Sequence, residues 1–261
     1  MEIKPKKSLG QNFLRDSQVL QKIVDSADIV PDDFIIEIGP GEGVLTELLI
    51  KKAKQVIAIE IDNNLATLLE KKFSAEPNIK IINEDILKIN FPKLLQDNNI
   101  SNYKIVANIP YYITSPIMRL LLEQANQPTE IILTIQKEVA QRITAKAGAL
   151  SILAVAIQYY SRPEFLFEVK KEAFFPVPKI DSGVIRLVPT RKLRAEKDKH
   201  FFQIVRSGFS ARRKTLVNNL ANGLQLDKKI VEEKLKIAGL SPAIRAQELD
   251  VTTWEKLVEL F

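Results

Sequence analysis

Phe34-Ile35-Ile36-Glu37-Ile38-Gly39-Pro40-Gly41-Glu42-Gly43 is an apolar run of strand length that breaks into three glycines within five residues. A helix-period segment over 44–53 follows. Strand, glycine turn and helix in that order open a βαβ unit, and the alternation continues with strand patterns at 56–59, 79–82, 103–107 and 130–135 and helix patterns at 62–73, 115–125 and 137–146. Upstream, Ser17 is placed to cap an amphipathic helix to about Ala27, with Val19, Leu20, Ile23, Val24 and Ala27 on one face. Downstream, 150–160 reads as a buried helix, and 164–169 and 182–188 as two more strands, read as antiparallel. From Thr190 onward no strand pattern occurs. Helical periods near 199–209, 212–221, 227–237 and 252–260 are separated by Gly223, Gly239 and Pro242. The expected organisation is an α/β domain over residues 1–190 and a helical domain over 191–261.

Composition removes several chemistries. With no cysteine among 261 residues there is no thiolate nucleophile, disulfide or cysteine-based zinc site, which also excludes methylation of pyrimidine C5 through a cysteine adduct. The only histidine, His200, stands among lysines and arginines, where a solvated side chain is expected. Histidine triads and multi-histidine metal sites are therefore not expected. The Met-Glu-Ile-Lys-Pro-Lys-Lys start lacks the apolar core of a secretory signal, and no apolar run approaches the ~20 residues that span a bilayer. A cytoplasmic location is the expectation. Charge is unevenly spread: residues 1–185 hold 22 Lys+Arg against 23 Asp+Glu, whereas residues 186–261 hold 16 against 9. The positive excess thus lies in the last quarter, as an electrostatic footprint for nucleic acid or as a solvated helical face would have it.

Glycines at 39, 41 and 43 let a ligand approach the backbone where a helix begins. The dinucleotide fingerprint Gly-x-Gly-x-x-Gly would need glycine where Val44 stands, and Gly-x-Gly-x-Gly is the spacing that S-adenosylmethionine-dependent methyltransferases tend to show. Glu60, about 20 residues on, ends the second strand, where an acid accepts both hydroxyls of a ribose. Asp85, past the third, is placed to accept from the amino group of the cofactor's adenine. The stretch Lys6-Lys7-Ser8-Leu9-Gly10-Gln11-Asn12-Phe13-Leu14 is read as a flap, with Gln11, Asn12 and the Leu14 backbone on the cofactor and Lys6 and Lys7 on RNA phosphate. Asn108-Ile109-Pro110-Tyr111 follows the fourth strand. The Asn108 side-chain carbonyl and the Pro110 carbonyl can each accept one N–H of an adenine amino group, and Tyr111 offers a ring for stacking. Of Phe174 and Phe175, ahead of Pro176 and Pro178, one is expected to be a buried plug, and Phe175 is taken as the opposite wall for a flipped base. Arg212-Arg213-Lys214 puts three cations at a helix start, against the helix dipole, so an external anion is the expected partner.

Taken with Thr114-Ser115-Pro116, Gln136-Lys137-Glu138-Val139, Phe175-Pro176-Val177-Pro178-Lys179 and Arg212-Arg213-Lys214-Thr215, these motifs closely resemble the KsgA family of small-subunit rRNA adenine N6-dimethyltransferases along nearly the whole chain. The resemblance implies a Rossmann-like, seven-stranded class I methyltransferase sheet with a small all-helical carboxyl-terminal domain. It implies S-adenosyl-L-methionine as cofactor, with contacts at Asn12, Leu14, Gly39, Glu60, Asp85 and Asn108, and Gly41 in the same loop. The implied substrate is a pair of adjacent adenosines near the 3′ end of 16S rRNA, each methylated twice on N6, in a small-subunit (30S) assembly intermediate. A monomer without metal or membrane is expected. One departure is visible: where the family usually has a longer loop containing glycine, lysine and tyrosine, this chain has only Lys146-Ala147-Gly148. The alternatives are an Erm-type 23S rRNA adenine N6-methyltransferase, which shares the Asn108–Tyr111 type of motif, a nicotinamide-dependent oxidoreductase, and a nonenzymatic RNA-binding assembly factor.

Overall fold

The structure, a computed structural model, describes residues 5–6, 9–191 and 194–261. In chain order the elements are β1 (Phe13–Leu14), α1 (Ser17–Ser26), β2 (Phe34–Ile38), α2 (Val44–Leu49), β3 (Gln55–Glu60), α3 (Asn63–Lys72), β4 (Ile79–Asn83) and α4 (Phe91–Asp97). β5 (Lys104–Asn108), α5 (Thr114–Leu122), β6 (Glu130–Gln136), α6 (Lys137–Ile143), α7 (Ile152–Tyr160), β7 (Ser161–Val169), β8 (Phe174–Phe175) and β9 (Ser182–Pro189) follow. The chain ends with α8 (Ala195–Gly208), α9 (Leu216–Leu224), α10 (Lys228–Ile237) and α11 (Val251–Val258).

All seven anticipated strands enter one sheet, in the order β4-β3-β2-β5-β6-β9-β7. β4, β3, β2, β5 and β6 run parallel, and β9 returns antiparallel along β6 from Ile131↔Leu187 to Gln136↔Ser182. The central strands are apolar at successive positions because helices cover both faces of a parallel sheet; Ile35, Ile36, Ile105, Val106, Ile131 and Leu133 are fully buried. The order reverses at β2, so the turns after β2 and β5 open at the same sheet end, where an open α/β sheet forms a ligand crevice. α1 buries Leu20, Ile23 and Val24 against this core, each such burial contributing about 1.5–3 kcal/mol. Its cap is not Ser17, as expected, but Asp16, whose carboxylate accepts the amides of Gln18 and Val19 at 2.9 and 3.1 Å.

Two features have no counterpart in the sequence reading. α4, with Pro92 in its first turn, was not anticipated. Nor was the two-stranded ladder of β1 and β8, which pairs Phe13 with Phe175 and Leu14 with Phe174.

The chain divides into two compact units. One comprises the residues through Ala140 with Arg162–Thr190; the other comprises Gln141–Ser161 and the chain after Thr190. The crossing expected near residue 190 is present, but the division differs from a single cut in that 141–161 joins the helical unit. The aromatic chemistry of that segment explains why. Tyr159 and Tyr160 donate their hydroxyls to the buried carboxylate of Asp198 in α8, at 2.8 and 3.0 Å, and Tyr159 stacks on Phe201 at 4.0 Å. The short Lys146-Ala147-Gly148 turn is tied to the same unit, the amides of Gly148 and Leu150 donating to the Gln247 carbonyl.

In the helical unit Arg212, Arg213 and Lys214 are exposed, as anticipated, but they do not begin a helix. α9 starts at Leu216 behind Thr215, whose hydroxyl accepts the Asn218 amide, so the cations occupy the turn before the cap. The buried Asn219 holds that turn by donating to the carbonyls of Gly208 (2.6 Å) and Ala211 (3.0 Å). The cations therefore do not oppose the dipole from inside the helix, and it is their exposure alone that leaves them open to an anion. His200 is exposed, as expected.

Candidate active site

The carboxyl ends of β2, β3 and β5, the turn after β4 and the segment 9–14 enclose a cavity of about 200 Å³. Gln11, Asn12, Leu14, Gly39, Gly41, Glu60, Asp85, Asn108, Pro110 and Tyr111 all line it. Residues scattered over 100 positions of sequence therefore converge on one space because the parallel strands end on the same side.

The loop after β2 forms one wall. Gly41 has φ +59°, and a Cβ there would lie 2.9 Å from the Phe13 ring, so only glycine lets the loop and the segment 9–14 close on each other. Glu60 reaches into the loop from β3: its carboxylate accepts the Gly41 amide at 3.1 Å and the Asp62 amide at 2.9 Å. Burial pushes the Glu60 carboxyl above its usual range, and the backbone amides of Asp62, Gly41 and Ile61 work in the opposite direction. Each oxygen keeps a lone pair for a further donor. Asp85 caps the short 3-10 turn Ile86–Lys88 through one oxygen, which accepts the Leu87 amide at 3.0 Å, and leaves the other for the cavity.

Segment 9–14 closes the opposite side. The Gln11 amide donates to Asp62 at 3.1 Å and accepts from the Lys6 backbone at 2.7 Å. Lys6, expected on RNA phosphate, turns instead onto the buried Asp62 at 2.7 Å; Lys7 lies outside the described residues. Further along, Arg15 makes a two-point ion pair with Glu42 at 2.5 and 2.9 Å and rests its guanidinium 4.5 Å from the centre of the Phe175 ring.

At the centre, Asn108 donates from Nδ2 to the Asn12 backbone carbonyl at 3.2 Å. A carbonyl can only accept, so this contact fixes the orientation of the amide and leaves Oδ1 as a free acceptor. The Pro110 carbonyl accepts the Ile113 amide at 3.2 Å and retains its second lone pair. Tyr111 is held through its hydroxyl, 2.8 Å from the Ser182 hydroxyl, and burial raises the phenol above its usual range.

Phe175 does not line the cavity as expected. Phe174, not Phe175, lines the cavity and is buried, whereas Phe175 is 47% exposed under Arg15. Successive side chains of a strand point to opposite faces, and the pairing Leu14↔Phe174 turns Phe174 inward.

Glu37 was given no role of its own at the end of the first strand, yet it is a buried member of the cavity wall, 1% exposed. Thr46 donates its hydroxyl to Glu37 at 2.7 Å, but burial dominates and raises the carboxyl from 4.5 to about 8. A carboxyl raised on folding favours the native state fully below its unfolded value and loses that contribution as pH rises through the folded value. Glu37→Gln should therefore gain stability relative to the parent as pH rises from 5 to 8, by more than about 1 kcal/mol over that range. Thermal unfolding of both proteins across that range tests this; a stability difference that stays constant with pH rejects the buried acid.

Comparison with known proteins agrees with the geometry. The family model described as "Ribosomal RNA adenine dimethylase" matches residues 3–260. The chain belongs to that family. Among its curated relatives, proteins named ribosomal RNA small subunit methyltransferase A from Dehalococcoides mccartyi and Alkaliphilus metalliredigens are each 43% identical. They cover 98% and 97% of this chain and 88% and 90% of their own. The solved structure of the 23S rRNA methyltransferase ErmE superposes with a TM-score of 0.77 at 31% identity over 95% of this chain and 99% of that one. A dimethyladenosine transferase from Plasmodium falciparum superposes with a TM-score of 0.78 at 26% identity, over 94% and 95%. The sheet is thus the class I methyltransferase sheet, and this member of the rRNA adenine dimethylase family is an S-adenosylmethionine-dependent RNA methyltransferase. Among the described residues no cluster of metal-ligating side chains occurs, and no helix is long and apolar enough to cross a membrane.

Proposed function

We propose that this dimethylase acts on two adjacent adenosines near the 3′ end of 16S rRNA, methylating each twice on N6, within a small-subunit assembly intermediate in the cytoplasm, as a monomer. The observation that carries the chemistry is the amide of Asn108, turned by the Asn12 carbonyl so that its oxygen stays a free acceptor, in a cavity wall that also holds the second lone pair of the Pro110 carbonyl. The small-subunit assignment rests on relatives of that name at 43% identity, against 31% for ErmE.

S-adenosyl-L-methionine supplies an electrophilic methyl group. The residues that fit it are Glu60, with a lone pair on each oxygen for a ribose hydroxyl, Asp85 for the adenine amino group, and the Gly39–Gly41 turn with Gln11, Asn12 and Leu14 around the remainder. On the RNA side, Asn108 Oδ1 and the Pro110 carbonyl accept the two N–H groups of the target amine. Its lone pair is then directed out of the ring plane. Tyr111 and Phe174 wall the base. Bound there, S-adenosylmethionine would give its methyl group to the amine nitrogen and leave as the neutral thioether, and the amine proton, strongly acidic once the nitrogen is alkylated, would pass to water. No general base is needed, and catalysis is positioning and preorganised electrostatics. The exposed Arg212, Arg213 and Lys214 are assigned to RNA phosphates.

Incubation with labelled S-adenosylmethionine and undermethylated 30S or 50S particles, followed by mapping of the modified base, tests the reading. Label should enter the two adjacent adenosines of the 30S particle. Label confined to 50S particles would replace the assignment by the Erm-type one.

A further inference from the structure

Tyr112 is the exposed aromatic residue of the cavity. Of the described lining residues, Phe13 and Phe174 are buried and Tyr111 is half-buried, but Tyr112 is 59% exposed. It follows the proposed base wall directly, in the 3-10 turn Tyr111–Ile113. Its ring edge lies against Gly10, where a Cβ would come 3.2 Å from Cδ1, and Gly10 has φ +59°. The segment 9–14 therefore leaves room for one edge of the ring and braces it there, while more than half of the residue stays open to solvent.

A flat, solvent-facing ring braced along one edge at the mouth of a nucleobase cavity suits one kind of occupant. Drawing an adenine into the cavity takes it out of the stack and uncovers the face of its neighbour in the same strand. An unpaired base replaces that lost partner with an aromatic side chain, whatever its sequence, because every base has a π face. We infer that Tyr112 is the stacking platform for the nucleotide that flanks the target adenine, holding it at the mouth while its neighbour is in the cavity. This rests on the adenine-methylation reading above. It gives that reading a means of presenting two adjacent adenosines: whichever of them is outside has a place to lie.

The test uses the full chain and small-subunit particles whose rRNA 3′ segment is ligated from synthetic RNA carrying either adenosine or an abasic ribose beside the target. Tyr112→Ala should raise KM for the adenosine-containing particle about 5- to 160-fold, the span set by one base–aromatic stack. Tyr112→Phe should stay within about twofold of the parent, since the ring and not the hydroxyl is used. On abasic particles the parent and Tyr112→Ala should converge. An alanine defect that persists undiminished on abasic particles, or a matching rise in the dissociation constant for S-adenosylmethionine, overturns the platform. So does a phenylalanine variant as impaired as the alanine one. Failure of the parent to methylate adenine N6 on any particle overturns the underlying reading and the platform with it.

Discussion

Asn108→Ala should lower methyl transfer by at least about 100-fold, the loss typical of deleting one preorganised polar contact to a reacting group. The fold should survive. Asn108 ends β5 with its backbone in the sheet, and its side chain makes one hydrogen bond, to the Asn12 carbonyl. Losing a bond of that kind costs about 1 kcal/mol, which moves Tm by only about 2–4 °C in a chain of this size class. Cofactor affinity should fall far less than turnover, because the group removed is the acceptor for the target amine. Asn108→Asp separates charge from geometry: the carboxylate has no N–H to give the Asn12 carbonyl and repels it, so it should not restore activity. Single-turnover methylation of particles, with calorimetric cofactor binding and a melting curve on each variant, measures all three quantities. Near-normal methylation by Asn108→Ala would remove the proposed centre.

Glu60→Ala should produce the opposite pattern, with a large effect on cofactor binding and a visible one on stability. The parent carboxylate accepts two amides, from Gly41 and Asp62, and is itself buried. Alanine leaves both donors without their acceptor, each at a cost of about 1–3 kcal/mol. The loop that carries Gly41 also loses its anchor to β3. Removing a charged acceptor from two ribose hydroxyls should then raise the dissociation constant for S-adenosylmethionine by at least about 100-fold. Glu60→Gln retains the size but turns one N–H toward a backbone N–H, so it should rescue only part of the affinity. Unchanged cofactor binding in Glu60→Ala would mean that the carboxylate only braces the loop.

The seven-stranded sheet was legible because strands buried on both faces must be apolar at successive positions, a constraint visible without any contact information. The cofactor side of the site was legible for a related reason, since strand ends and glycine turns fall at predictable places once the strands are known. The remaining features are set by geometry between distant segments. A two-residue ladder such as β1 with β8 has no periodicity to read. Phe174 and Phe175 are chemically identical neighbours, and only the register Leu14↔Phe174 decides which faces the cavity. Asp16 and Ser17 are both good caps, one residue apart. Thr215, which shifts the start of α9 past the three cations, looked like an ordinary helix interior residue behind a basic run. The membership of 141–161 in the helical unit depends on two tyrosine hydroxyls meeting Asp198, a contact across nearly 40 positions. Glu37 did leave a signal, an acid inside an otherwise apolar strand, whose meaning needed its burial.

The partner that orients Asn108 is a main-chain atom. Every amino acid at position 12 carries the same carbonyl, so a saturation screen of that codon is blind to the contact even if each of the other nineteen residues is sampled. Its contribution is protected from substitution at position 12 and belongs to the path of the chain. Shortening, lengthening or rerouting the backbone between Lys6 and Arg15 is the class of genetic change that exposes it.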